Sequence, residues 1–179
     1  MDSQQHQIRI GIITVSYNTS SLLRRSLESS TYPEGTAPFA LEVVVVDNAS
    51  TDQSTTMVRE EFPHVTLIAN GDNRGFAAAT NQGIKAVLDK VDYVFLLNPD
   101  AWLCSGALEE LVSFIEQHPR VGVCSPRLRY PDARPQEGAW HFPTLWMAWF
   151  DLFPPRGALL GRLYASPLNG RYREERSDE

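Results

Sequence analysis

Polar side chains that can hold a ligand follow directly after several apolar runs of this chain. They are, in chain order, Ser16, Tyr17 and Asn18; Asp47 and Asn48; Asn70, Asp72, Asn73, Arg74 and Gly75; and Asn98, Pro99 and Asp100. Carboxylate and amide groups make the hydrogen bonds that identify a nucleobase, and carboxylates bind hard divalent cations. One such cluster would be ordinary turn chemistry, because Asn and Asp favour turns and helix caps. Four in succession favour a binding edge over the purely structural explanation.

Strands and helices that would position these side chains alternate along the sequence. Apolar runs predict strands at 8–15, 42–46, 65–69, 93–97 and 121–124. The predicted helices begin at Thr19 or Ser20, after Ser50 and at Phe76, and Ser105 is predicted to cap the fourth. Ser50 with Gln53 three residues later has the form of a capping box. This alternation predicts a mostly parallel sheet, whose carboxyl edge is where ligands bind.

Charge and motifs exclude several classes of protein. The net charge is −6 and the pI about 5.2, whereas a nucleic-acid-binding protein needs a basic stripe. The sequence has no GxGxxG after the first strand, no GxxxxGKS/T and no GxSxG, so it predicts no dinucleotide site, phosphate loop or hydrolase nucleophile. Cys104 and Cys124 are far apart and the N-terminus has no apolar leader, which favours a cytoplasmic location.

After these exclusions, we interpret the edge as a pocket for a nucleobase beside one carboxylate that binds a metal. Asp47 is suited to accept the ring N–H of a pyrimidine, and Tyr17 supplies an aromatic face on which a base can stack. The edge therefore predicts a nucleotide ligand rather than a nucleophilic active site.

Five segments resemble the family 2 glycosyltransferases, most closely the rhamnosyltransferase-type branch. They are VSYNTSSLLRRSLES, VVVVDNASTDQS, GDNRGFAAATNQGI, YVFLLNPDAWL and VGVCSPRLRYPDARPQ, which follow the family's order and spacing across residues 8–143. The resemblance implies an α/β fold of the GT-A type, a Rossmann-like three-layer sandwich with a mostly parallel central sheet. It also implies a nucleoside diphosphate sugar as the donor, a divalent metal, and inversion at the anomeric carbon.

The resemblance assigns roles to the residues of the predicted edge. Tyr17 and Asp47 match the positions that hold the nucleobase, and Asp100 matches the ligand of a Mg²⁺ or Mn²⁺ ion that also binds the diphosphate. Asn98 stands where many relatives carry the first Asp of an Asp-x-Asp motif, which removes one negative charge. Arg74 is either a partner of the diphosphate or a solvated side chain. The predicted nucleotide-binding set is Ser16, Tyr17, Asn18, Asp47, Asn48, Asn73, Arg74, Gly75, Phe76 and Asn98.

The sequence does not identify a catalytic base. In the family this base lies in a later segment with an acidic motif, and we expect that segment to be absent from the chain. Asp132, Glu137 and Asp151 are available carboxylates, but their surroundings do not single one out, and Asp132 fits a Tyr-Pro-Asp turn. We predict a nucleotide-sugar-binding domain at 1–135, followed at 136–179 by an aromatic helix and charged tail that form part of the acceptor side.

Four aromatic residues near the C-terminus have the spacing of one helix face, namely Trp146, Trp149, Phe150 and Phe153. One interpretation is that this face packs on the sheet or on another subunit. The other is that it touches a membrane surface or a lipid-linked acceptor at the inner face of the membrane. The segment 146–153 itself contains no basic residue of the kind that would favour the membrane.

The function predicted from these features is glycosyl transfer in polysaccharide biosynthesis. The donor is a dTDP- or UDP-sugar, with rhamnose as the leading sugar by resemblance, and the acceptor is a saccharide or a lipid-linked saccharide. The alternative is a non-catalytic nucleotide-sugar-binding or interaction module. A nucleotidyltransferase is a weaker alternative, because it would need a Gly- and Arg-rich loop after the first strand, where Ser16, Tyr17 and Asn18 stand instead.

Overall fold

Four strands and four helices alternate in the computed structural model, which describes residues 7–32, 37–136, 145 and 149. The strands are β1 (Arg9–Ser16), β2 (Ala40–Asp47), β3 (Thr66–Ala69) and β4 (Tyr93–Leu96). The helices are α1 (Ser20–Ser29), α2 (Ser54–Glu61), α3 (Phe76–Val87) and α4 (Ala107–Gln117). The order of these eight elements is the predicted one, and their bounds agree with the predicted bounds to within a few residues.

The four strands form a parallel sheet in the order β3-β2-β1-β4. Ser16 pairs with Asp47 and Asp47 with Ala69, so that three strands end in one row. The chain moves outward in one direction from β1 to β3 and then returns to the other side of β1 as β4. Ligands of open α/β sheets bind at the carboxyl edge where the strand order reverses, which here lies between β1 and β4.

Helices cover both faces of the sheet, which confirms the three-layer α/β arrangement. One face packs against α1, α2 and α4 through Leu23, Leu27, Met57, Val58, Leu108 and Val112. The other face, which carries Ile13, Val44 and Val46, packs against α3. Alternation of side chains along each strand produces this division, because successive residues point to opposite faces.

A glycine allows α3 to approach the sheet closely. A Cβ atom built on Gly83 would lie 2.5 Å from Cγ2 of Ile13 and 3.2 Å from Cγ2 of Val46. Both neighbours are buried β-branched residues that cannot turn away without disturbing the core. The position therefore accepts glycine despite its cost in the interior of a helix.

Three predictions about secondary structure are wrong. The described residues 121–124 form no strand, and Val123 is 88% exposed, because an apolar run becomes a strand only where a second backbone pairs with it. The capping box does not form: α2 begins at Ser54, and the hydroxyl of Ser50 is used elsewhere. Ser105 does not cap α4, whose N-cap is Gly106 in the left-handed conformation.

The chain divides into two compact units, Met1–Gly122 and Val123–Glu179. Described residues of the second unit include a turn in which Asp132 accepts hydrogen bonds from the backbone N–H and the Nε of Arg134, at 3.2 and 2.7 Å. The geometry confirms the turn predicted for Asp132. The predicted functional boundary at 135/136 stays a prediction.

The aromatic face predicted near the C-terminus is described at one residue. Trp149 is helical and 56% exposed, whereas Trp146, Phe150 and Phe153 lie outside the described residues. Among the helices that the structure describes, none has the length and apolarity to cross a bilayer.

Candidate functional site

Asp47, the last residue of β2, carries a buried oxygen without a partner. The residue is 2% exposed. Its Oδ2 accepts the backbone N–H of Ser50 at 2.9 Å, whereas Oδ1 has no hydrogen-bond partner within the described protein. Leaving a buried acceptor unsatisfied costs about 1–3 kcal/mol, so this oxygen is suited to receive a donor from a ligand.

The ends of β1 and β2 are joined by reciprocal hydrogen bonds. The backbone N–H of Asn18 donates to the hydroxyl of Ser50 at 2.9 Å, and the backbone N–H of Thr51 donates to Oδ1 of Asn18 at 2.8 Å. Asn18 has a positive φ of 54°, a conformation that Asn tolerates better than most residues. These bonds fix the backbone beside Tyr17, which is 50% exposed.

Asp52 connects the first residues of two helices, a role that the sequence analysis missed. Its Oδ2 accepts the backbone N–H of Ser20 in α1, and its Oδ1 accepts that of Ser54 in α2, each at 2.9 Å. Burial works against ionisation of this carboxyl, but the hydrogen bonds from Ser54 and Ser20 outweigh that effect and lower the pKa of Asp52. The only sequence signal was an Asp two residues before a helix start.

Asn48 is as buried as Asp47, and its amide holds the loop between β3 and α3. Its Nδ2 donates to the carbonyl of Gly75 at 3.2 Å. Its Oδ1 accepts from Nδ2 of Asn70 at 3.1 Å and from the backbone N–H of Arg74 at 3.4 Å. Asn48 therefore positions the loop that carries other residues of the predicted set, and the nucleotide contact predicted for it stays a prediction.

The start of α3 lies at the same edge as these strand ends. Gly75 is the N-cap with a positive φ of 76°, and its N–H donates to Oδ1 of Asn73 at 2.9 Å. Phe76, the first helical residue, is 59% exposed. Arg74 lies 3.5 Å from Asp72 in a solvent-exposed pair. The uncapped N–H groups at this helix end are favourable partners for a phosphate.

Asp100 occupies a turn that follows β4. The carbonyl of Asn98 accepts the backbone N–H of Ala101 at 3.1 Å, which closes a turn with Pro99 and Asp100 at its centre. Asn98 and Asp100 are exposed. The described residues contain no group of three His, Cys, Asp or Glu that could hold a metal by itself. One carboxylate fits a Mg²⁺ or Mn²⁺ ion that takes its other ligands from phosphate and water.

The structure thus brings most of the predicted set to one edge of the sheet. Some of these side chains are held by hydrogen bonds, and others are exposed. Ser16, Asn18, Asp47 and Asn48 are tied into the strand ends, and the hydroxyls of Ser16 and Thr19 lie 3.0 Å apart. Tyr17, Phe76 and Asp100 are exposed at that edge. Of the candidate bases, Asp132 is bound by Arg134, and Glu137 and Asp151 lie outside the described residues.

Comparisons with known proteins show which family model and which relatives the chain matches. The sequence profile of Glycosyl transferase family 2 matches residues 11–161. The chain is 26% identical over 175 residues to N-acetylglucosaminyl-diphospho-decaprenol L-rhamnosyltransferase of Mycobacterium tuberculosis, which covers 92% of this chain and 54% of that protein. It is 37% identical over 93 residues to succinoglycan biosynthesis protein ExoO of Rhizobium meliloti, covering 48% of this chain and 26% of that protein. The chain thus spans about half the length of the first relative.

Solved structures with a similar fold include a mannosyltransferase and S. aureus TarS. Mannosyltransferase PcManGT from Pyrobaculum calidifontis, in complex with GDP-Man and Mn²⁺, has a TM-score of 0.59 and 29% identity, covering 72% of this chain and 37% of that chain. S. aureus TarS 1-349 in complex with UDP-GlcNAc has a TM-score of 0.53 and 21% identity, covering 69% of this chain and 38% of that chain. At 21% identity the second likeness concerns the fold alone.

Proposed function

The chain belongs to glycosyl transferase family 2, and from this premise we propose that it binds a nucleoside diphosphate sugar at the carboxyl edge of its sheet and transfers the sugar to an acceptor. The observation that carries the proposal is the unpartnered Oδ1 of Asp47, which is buried at the carboxyl end of β2, the strand that pairs with β1. A nucleobase N–H supplies the donor that this oxygen lacks.

The base that we propose is a pyrimidine. Uracil and thymine present one ring N–H that Asp47 can accept, and Tyr17, half-exposed nearby, offers a stacking surface. Guanine also has a ring N–H, and the Pyrobaculum mannosyltransferase binds GDP-Man, so a guanosine donor is the competing possibility. Adenine has no ring N–H and should bind worst.

The diphosphate of the donor lies, in this proposal, between the start of α3 and Asp100. The N–H groups at the start of α3 stabilise negative charge, and Arg74 adds a cation in the same loop. Asp100 holds a Mg²⁺ or Mn²⁺ ion, which supplies Lewis-acid stabilisation to the leaving diphosphate when it is bound. Because the protein has a net charge of −6, a bound cation would offset its repulsion of a diphosphate with two negative charges.

For the sugar and the acceptor we propose rhamnose and a lipid-linked saccharide. The support is the Mycobacterium tuberculosis relative, whose name specifies L-rhamnosyl transfer to N-acetylglucosaminyl-diphospho-decaprenol. Such an acceptor would place the protein at the cytoplasmic face of a membrane. Transfer with inversion requires a base that takes the acceptor proton as the glycosidic bond forms and the bond to the diphosphate breaks. That base would come from outside the described residues.

A non-catalytic nucleotide-sugar-binding module is the second candidate. The observation that favours it is that Asp132, the candidate base which the structure describes, is held by Arg134 through both carboxylate oxygens. Both candidates predict donor binding, and only the enzyme predicts release of nucleoside diphosphate in the presence of a saccharide acceptor.

Thermal unfolding with a panel of dTDP-, UDP-, GDP- and ADP-sugars, each with and without Mn²⁺, tests the proposal. A donor at 100 times its dissociation constant should stabilise the fold by about 2.7 kcal/mol. Asp100→Ala should remove the Mn²⁺-dependent part of that shift, whereas Asp89→Ala, an exposed carboxylate beyond α3, should leave it unchanged. No shift with any nucleotide sugar would contradict the proposed site.

A further inference from the structure

Helix α1 contacts the loop that carries Asp100, and the first contact lies on the N-terminal side of Asp100. The hydroxyl of Ser26, which is 0% exposed, donates to the carbonyl of Asn98 at 3.3 Å. The same carbonyl accepts the N–H of Ala101 and closes the turn around Asp100. A side chain of α1 therefore holds the closing group of the turn.

The same helix also contacts this loop on the C-terminal side of Asp100. The backbone N–H of Leu103 donates to the hydroxyl of Ser29 at 3.0 Å, and that hydroxyl donates in turn to the carbonyl of Ser26 at 2.7 Å. The guanidinium of Arg25 lies 4.3 Å from the ring centre of Trp102. Both flanks of Asp100 are thus attached to one helix.

These contacts leave the turn little freedom. Pro99 at the second position of the turn fixes its own φ near −65°, and Asp100 follows as the third residue. With Asn98 and Leu103 both bonded to α1, the backbone of Asp100 is held from two sides while its side chain stays exposed. Because its backbone is held, Asp100 has fewer conformations to lose when its carboxylate binds a ligand, which lowers the entropic cost of binding.

We propose that Ser26, Ser29 and Arg25 are positioning residues that hold Asp100 where it binds the divalent cation of the donor complex. This inference rests on the proposed function, in which Asp100 is the metal ligand. None of the three side chains acts on the donor itself. Their loss should therefore weaken the metal-dependent part of nucleotide binding and leave the metal-free part unchanged.

Mn²⁺ titrations of the whole chain with a saturating nucleotide sugar test this proposal. Ser26→Ala and Ser29→Ala should each raise the Mn²⁺ concentration at half-maximal binding by about 3- to 10-fold, the loss expected for one hydrogen bond. Metal-free nucleotide affinity should not change. Ser29→Thr, which keeps a hydroxyl, should restore most of the loss.

Ser30→Ala is the matched control, because Ser30 is also a buried serine of the same helix end and its hydroxyl donates only to Leu27 within that turn. It should lower stability without raising the Mn²⁺ requirement. A readout without metal is amide hydrogen exchange: the N–H groups of Ala101 and Leu103 should exchange faster in Ser29→Ala than in the control. If Ser26→Ala does not fold, the more accessible Ser29 carries the test.

The outcomes separate the two proposals. If the wild-type protein binds a nucleotide sugar with Mn²⁺ and both serine variants keep its Mn²⁺ requirement, the positioning role is overturned and the proposed function stands. If the wild-type protein shows no metal-dependent binding, the metal role of Asp100 fails and the positioning role fails with it.

Discussion

At the residue scale, Asp47 and Asn48 are neighbours with equal burial and different uses. Each is 2% exposed. The amide of Asn48 is engaged by Asn70, Arg74 and Gly75, so its surroundings already account for its polarity. Oδ1 of Asp47 has no such partner in the described protein. The difference assigns Asn48 to the support of the loop and makes Asp47 the better candidate for contact with the base.

Asp47→Ala should discriminate between bases. Loss of a hydrogen bond to a charged acceptor costs about 1.5–3 kcal/mol, so uridine and thymidine diphosphate should bind roughly 10- to 150-fold more weakly, and adenosine diphosphate should lose far less. Calorimetric titration of the wild-type protein and the variant with each nucleotide measures the loss of affinity for each base. The ratio of these losses between bases does not depend on a change in the stability of the variant. An equal loss for every base would make Asp47 a structural residue.

At the element scale, the starts of α1 and α2 depend on one carboxylate. Asp52 accepts an N–H from the first residue of each helix, and negative charge is favourable at both positive helix ends. Asp52→Ala should cost about 1 kcal/mol of unfolding free energy at pH 7, at the lower part of the range for caps because the residue is exposed. Asp89→Ala is the matched exposed control.

The cost of Asp52→Ala should also depend on pH. The folded state lowers the pKa of Asp52, so its contribution is complete above the pKa of the unfolded chain, near 3.9, and is lost as the pH falls through the folded value. Urea unfolding of both proteins at pH 7 and near pH 2.5 measures this. A difference in unfolding free energy that is the same at both pH values would show that the charge is not responsible.

The contact between α3 and the sheet gives a second prediction at this scale. Gly83→Ala places a methyl group 2.5 Å from a methyl of Ile13. Overpacking costs about 1–3 kcal/mol, which exceeds the gain of up to ~1 kcal/mol in helix propensity. The denaturant concentration at the unfolding midpoint should therefore fall for Gly83→Ala. It should not fall for the control Gly71→Ala, because nothing lies within 4 Å of the added atom there. A stabilised Gly83→Ala protein would mean that α3 can move away freely.

At the scale of the whole molecule, the chain divides into two units after Gly122, and the predicted donor site lies in the first of them. All residues of the predicted nucleotide and metal set lie at or before Asp100, within the first unit. We therefore expect a bound donor with Mn²⁺ to slow amide exchange at 16–18, 47–52, 70–76 and 98–103, because binding suppresses local opening. Exchange at 123–136 should not change.

The same experiment tests the domain boundary predicted from the sequence at 135/136. Protection that extends into 123–135 would show that these residues belong with the nucleotide-binding part, as the sequence analysis predicted. Unchanged exchange there would place the functional boundary where the structure divides.

The sequence by itself determined the alternation of strands and helices and the polar residue types at each strand end. These are local properties: apolar spacing and turn chemistry act over a few residues, and the structure confirms the eight elements and the parallel sheet. The family followed from the same local segments, and the sequence profile confirms it.

Tertiary structure alone decided how those polar side chains are used. Asp52 reaches Ser20 across 32 positions, and Ser26 reaches Asn98 across 72, so neither contact could be inferred from local spacing. Ser50 looked like a helix cap and instead holds Asn18, because strand pairing brings the two loops together. The run at 121–124 is not a strand, since a strand requires a partner that its own residues cannot provide.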